Sequence, residues 1–95
     1  MENEEFQCHY TVEQRKEHEK RFLAEKPKDC MDSIDHPSGV KVGDMVVVRN
    51  AYDILVGPYK VLGFTAGWRN NEPRMYLDWD CWWYPAKLSN LYKIM

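Results

Sequence analysis

Rings and cations are the groups in this chain best suited to chemistry of recognition. Tyr52, Tyr59, Trp68, Tyr76, Trp82, Trp83, Tyr84 and Tyr92 crowd the C-terminal part, and Arg49, Lys60, Arg69, Arg74 and Lys87 are interleaved with them. Exposed Trp and Tyr beside Arg are the composition of protein-interface hot spots. The same rings can stack on bases or enclose a cationic group. If Trp82 and Trp83 share a strand they point to opposite faces, one inward and one outward or under another element. The residues expected to carry binding are Trp68, Trp83, Tyr76, Tyr52 and Arg74, as an exterior aromatic–cationic patch. The competing reading is that the second aromatic face buries an N-terminal helix.

Other constellations are weaker. Cys8, His9, His18, Cys30 and His36 carry donors suited to zinc, but no Cys–Cys pair has the spacing of a structural zinc knuckle, so no metal and no cofactor is expected. Cys81 has every His far upstream, which leaves a thiol nucleophile without a base. Asp78 and Asp80 flank Trp79 and could pair as acid and base, yet carboxylates near a hairpin end more often bond their own turn. No phosphate loop, nucleophile elbow or metal-binding helix motif is present. The chain is therefore read as a binding module and not an enzyme.

These groups must be positioned by 95 residues, enough for one modest core. Formal charge is −2, so no global basic field draws nucleic acid. Residues 1–36 carry six basic against ten acidic side chains, and residues 37–95 carry seven against five. Ten of the thirteen aromatics lie in the second part. Apolar runs never exceed four residues, too short for a membrane span. The opening Met1-Glu2-Asn3-Glu4-Glu5 has no basic or apolar signal region, and three cysteines do not make a disulfide framework. Both favour a reducing cytoplasm. A polar helical arm over residues 1–36 and an aromatic β unit over 37–95 are expected.

The arm begins at Thr11, whose spacing to Gln14 fits a capping box, with Tyr10 placed to staple the entry. No Gly or Pro follows until Pro27. Val12, Phe22 and Leu23 form a thin apolar stripe, so the helix must dock through them, find a partner or fray. Turn residues fill 27–44, with Ile34 and Val40 pinning the segment to the core. Strands are expected over Met45–Arg49, Tyr59–Phe64 after a break at Gly57-Pro58, Arg74–Trp79, Trp82–Tyr84, and Leu91–Ile94 after a 3₁₀ turn at 86–90. Met75, Leu77 and Trp79 alternate with Arg74, Tyr76 and Asp78, the period of a half-buried strand. Trp79, Leu77, Val47, Val61 and Ile94 should be core.

Two segments carry a resemblance. Val42-Gly43-Asp44-Met45-Val46-Val47-Val48 is similar to the opening strand of SH3-like barrels. Trp83-Tyr84-Pro85-Ala86-Lys87-Leu88-Ser89-Asn90-Leu91-Tyr92-Lys93-Ile94 resembles their final strand–Pro–3₁₀–strand sequence. The resemblance covers about residues 40–95 and implies a five-stranded antiparallel barrel. The acidic loop of peptide-binding SH3 domains is not evident, because Asp53 is the one acid between Arg49 and Tyr59. The expected architecture is mostly β: an SH3-like barrel with a helical arm, recognising a protein or peptide. Nucleic-acid binding by base stacking, with Arg and Lys on phosphates, is the alternative. Such a chain would suit a phage or mobile element that blocks a host factor.

Overall fold

The computed structural model describes residues 10–68 and 72–95. Helix α1 runs Val12–Ala24, and its entry is the expected capping box: Gln14 N–H donates to Thr11 Oγ1 at 3.1 Å and Thr11 N–H to Gln14 Oε1 at 2.8 Å. Five strands follow: β1 Met45–Arg49, β2 Leu55–Trp68, β3 Glu72–Leu77, β4 Ala86–Lys87 and β5 Leu91–Ile94. A 3₁₀ turn over Leu88–Asn90 joins the last two. All pairings are antiparallel, in the order β4-β3-β2-β1-β5. The expected class holds, mostly β with an N-terminal helix. The sheet is open, since β4 and β5 are its two edges, so "barrel" describes it only loosely.

Strand β2 serves two ribbons. Its first half pairs with β1 (Val46 opposite Tyr59, Val48 opposite Val56), and its second half pairs with β3 (Val61 opposite Leu77, Phe64 opposite Met75). The change of partner falls at Lys60-Val61. Asp78 N–H donates there to the Lys60 carbonyl at 3.2 Å, and Lys60 N–H to Asp78 Oδ1 at 2.9 Å. Beyond this change of partner β1 no longer pairs with β2, and the Phe64 N–H and carbonyl are taken by a bridge to Met31. That bridge shields an edge that would otherwise offer unpaired backbone.

Two strand expectations are corrected. Gly57-Pro58 does not break the chain; β2 runs through it. The register shifts there, between Val46 and Val48 of β1, which is where a strand tolerates proline. Gly57 has φ 132°, and a Cβ at this position would lie 2.8 Å from the Val46 carbonyl oxygen, so only glycine lets the strands meet so closely. Second, Trp82–Tyr84 is a turn and not a strand: Tyr84 N–H donates to the Cys81 carbonyl at 2.9 Å, and the strand starts only at Ala86.

The main core lies between the ribbons and contains Val40, Val46, Val48, Tyr59, Val61, Phe64, Met75, Leu77 and Leu88. Val47, Val61 and Leu77 are buried as expected, while Trp79 and Ile94 are half-buried against this core. A smaller cluster sits on the opposite face of β2–β3, where Phe22 of α1 meets Leu62 and Tyr76, flanked by Cys30 and Trp82. The helix docks through Phe22 alone among its apolar residues; Val12 and Leu23 are exposed. Polar contacts supply the rest. Arg15 donates to the Pro58 carbonyl at 3.1 Å, His18 Nδ1 to the Asp78 carbonyl at 3.1 Å, and Lys60 Nζ meets Glu19 at 3.1 Å. Tyr10 stacks edge-on to His18 with centroids 5.0 Å apart. Among the described residues, no helix is long and apolar enough to cross a membrane.

Candidate binding cavity

A cavity of about 340 Å³ is lined by residues of both ribbons. Val48, Arg49 and Asn50 line it from one ribbon; Arg74, Lys87 and Ala86 line it from the other; Trp79, Tyr84 and Pro85 close one side. An adjoining depression of about 330 Å³ is lined by Ser89, Leu91 and Tyr92 and shares Arg49 and Asn90 with the first. Three cations, three rings and two carboxamides thus converge across the two. No Asp or Glu lines the larger cavity among the described residues.

Each group is held by identifiable contacts. Trp79 Nε1 donates to the Tyr84 carbonyl at 3.2 Å, which fixes the indole and leaves its ring as an apolar wall. Asn50 Oδ1 accepts from Tyr52 and Ile54 N–H at 2.9 and 3.0 Å, an Asx-type turn that stiffens the loop after β1. Arg49 is paired with Asp53 at 3.0 Å, and its guanidinium carbon lies 5.9 Å from the Tyr92 ring centroid. The Arg74 side chain is 7% exposed. Its Nη1 donates to the Pro85 carbonyl at 3.2 Å, and its guanidinium lies 5.9 Å from the Tyr84 ring centroid. Its Nε is buried with no hydrogen-bond partner. Glu72 stands off, with one oxygen 3.9 Å from Arg74 Nη2 and the other 3.8 Å from Lys87 Nζ.

The expected exterior patch divides. Tyr76 is 1% exposed, because α1 seats Phe22 on it with ring centroids 5.3 Å apart; it is core and not surface. Arg74 is likewise buried rather than exterior, because β4 and Tyr84-Pro85 cover it, although its guanidinium still borders the cavity. Trp83 and Tyr52 remain exposed, at 55% and 83%. Trp68 ends β2 opposite Glu72, and its side chain lies outside the described residues. Arg49, Trp79, Tyr84 and Lys87 do not stand out as a group in the sequence. Their convergence depends on which ends of the ribbons face each other, which no local pattern encodes. Only the folded register shows that Arg74 and Lys87 sit directly opposite across β3–β4, and like charges so placed disfavour pairing.

The remaining chemical candidates are occupied elsewhere. Asp78 is buried, which pushes its carboxyl above the usual range, and it is tied to the Lys60 amide. Asp80 accepts from the Tyr10 hydroxyl at 2.8 Å. Burial raises the Cys30 and Cys81 thiols, which lowers their thiolate fraction. Among the described residues no three His, Cys, Asp or Glu side chains converge as a metal site; Cys8 and His9 lie outside them. A second cavity of about 180 Å³ sits under α1 beside Arg15, Glu19, Lys60 and Asp78.

No protein-family model, no curated protein and no solved structure matches this chain.

Proposed function

We propose that this protein is a small non-enzymatic binding module that holds a segment of a protein or peptide partner in the cavity lined by its two ribbons. The observation that carries the reading is the cavity walled by Trp79 and Tyr84 and rimmed by Arg49, Arg74 and Lys87. The adjoining depression at Tyr92 supports an extended ligand over a compact one. Exposed Trp83 and Tyr52 are further large rings available to a partner. The strand order, with one 3₁₀ turn between β4 and β5, supports the SH3-like reading. The tied carboxylates and raised thiols support a non-catalytic role, and the free thiols suit a cytoplasmic setting.

Selection from a displayed random-peptide library tests this. Peptides should enrich on the wild-type protein, and Tyr84→Ala should weaken the winners about tenfold, roughly 1.4 kcal/mol. Absence of enrichment, or winners indifferent to Tyr84→Ala and Lys87→Gln, would remove the reading. Quenching of Trp fluorescence by a single-stranded oligonucleotide, relieved steeply by salt, would transfer the site to nucleic acid.

A further inference from the structure

Building on that reading, we infer that the cavity takes the carboxylate of an acidic peptide between Arg74 and Lys87, and that Glu72 is the resident carboxylate it displaces. Three observations converge. Arg74 and Lys87 are direct cross-strand partners, an arrangement that costs stability unless an anion sits between them. Glu72 reaches both, but at 3.9 and 3.8 Å, beyond hydrogen-bond distance for either oxygen. The Arg74 guanidinium is almost wholly buried, and the Pro85 carbonyl is its one hydrogen-bond acceptor among the described residues. A buried guanidinium so sparsely bonded gains most from a close, charge-assisted partner.

Charge and shape point to the same ligand. Among the described residues the lining offers Arg49, Arg74 and Lys87 and no acid. Glu72 spans the two cations with one oxygen each; a ligand carboxylate could do the same at shorter range. Trp79, Pro85, Ala86 and Val48 would cover an apolar neighbour of the acidic residue. The loose Glu72 contacts then offset part of the charge of Arg74 and Lys87 while remaining weak enough to exchange.

The test uses two pools of fluorescein-labelled, end-capped pentapeptides, alike except for Glu or Gln at the central position, titrated by anisotropy. The Glu pool should bind the wild-type protein about tenfold tighter than the Gln pool, a difference of about 1.4 kcal/mol. Glu72→Gln removes the competitor, so it should tighten the Glu pool several-fold and leave the Gln pool unchanged; Lys87→Gln should weaken the Glu pool about tenfold. Melting curves confirm that both variants are folded. Equal binding of the two pools overturns the carboxylate inference while leaving the peptide site standing. A Glu72→Gln protein that binds the Glu pool no tighter than wild type overturns it equally. If neither pool binds up to about 1 mM, the peptide site falls as well.

Discussion

Two sets of rings on this small protein have opposite fates. On one face of β2–β3, Tyr76 is sealed by Phe22 and flanked by Trp82, Leu62 and Cys30. Elsewhere Trp79 and Tyr84 wall a cavity rimmed by cations, and Trp83, outside that lining, is 55% exposed. Both places hold large rings, but the sealed cluster surrounds them with apolar neighbours and a covering helix, whereas the cavity sets them among Arg49, Arg74 and Lys87 with no helix over them. Helix α1 provides one apolar anchor and several hydrogen bonds, enough to cover one face and not the other. Aromatic surplus thus marks binding only after the helix has taken its share.

If the buried set holds the arm in place, Phe22→Ala should have the largest effect on stability. The side chain is fully buried and is the helix's only buried residue. Its loss should cost about 3–5 kcal/mol. Chemical denaturation should show that loss, with helical circular dichroism falling as the arm detaches. A loss under about 1 kcal/mol would mean that the polar contacts of Arg15, His18 and Glu19 hold the arm.

Alkaline pH probes the same cluster from its polar end. Burial, with Asp29 beside the hydroxyl, pushes Tyr76 up to about 12 from an ordinary value near 10. The folded chain therefore keeps this proton where the unfolded chain has released it, and stability falls as pH rises from about 10 toward 12. The full contribution is present below 10. A shift of that size amounts to about 2–3 kcal/mol over the window. Tyr76→Phe should flatten that part of the decline, and Tyr10, also pushed up to about 12, should account for a further part. Melting temperature against pH for the two proteins decides it; parallel curves would show that Tyr76 ionises as freely when folded.

Much of this division is legible in the sequence, and the part that is not has definite causes. Thr11 and Gln14 specify the helix start through their own backbone bonds, so the cap can be read locally. The alternation names Met75 and Leu77 as one core face correctly, whereas Trp79 lies past the end of β3 and is half-buried. Tyr76 is misassigned by the same alternation, which cannot say whether the other face meets water or a helix. Phe22 and Leu23 look equivalent in sequence, and only the docked geometry of α1 chooses Phe22. Consecutive rings at Trp82–Tyr84 read as a strand, whereas the bond from Tyr84 to Cys81 and the following Pro85 make a turn. The cavity is not legible as a site, since Arg49, Arg74 and Lys87 come from three separate strands that only the pairing order of the sheet brings together.

Gly63 sharpens the comparison at the floor of the sealed cluster. A Cβ there would collide with Cys30 Sγ, with Phe22 Cζ at 3.5 Å close behind. Gly63→Ala should therefore cost about 1–3 kcal/mol through overpacking. Cys30→Ala removes the obstructing sulfur, so the double variant should be more stable than the sum of the single losses predicts. A strictly additive cycle would show that the two side chains do not share this space.

The smallest expected change belongs to Trp83. Its neighbour Trp82, at a ring-centroid distance of 5.3 Å and edge-on, is half-buried against the sealed cluster, while Trp83 itself is the more exposed of the two. Truncating an exposed residue away from caps, cores and networks usually changes stability by less than about 0.5 kcal/mol. Trp83→Ala should therefore leave the melting curve nearly in place, while Trp82→Ala lowers it clearly. The contrast matters because adjacent residues of one type, on one turn, would then divide between holding the fold and facing a partner. Should Trp83→Ala destabilise as much as Trp82→Ala, its ring would be structural, and the exposed rings left to a partner would be Tyr52, Tyr84 and Tyr92.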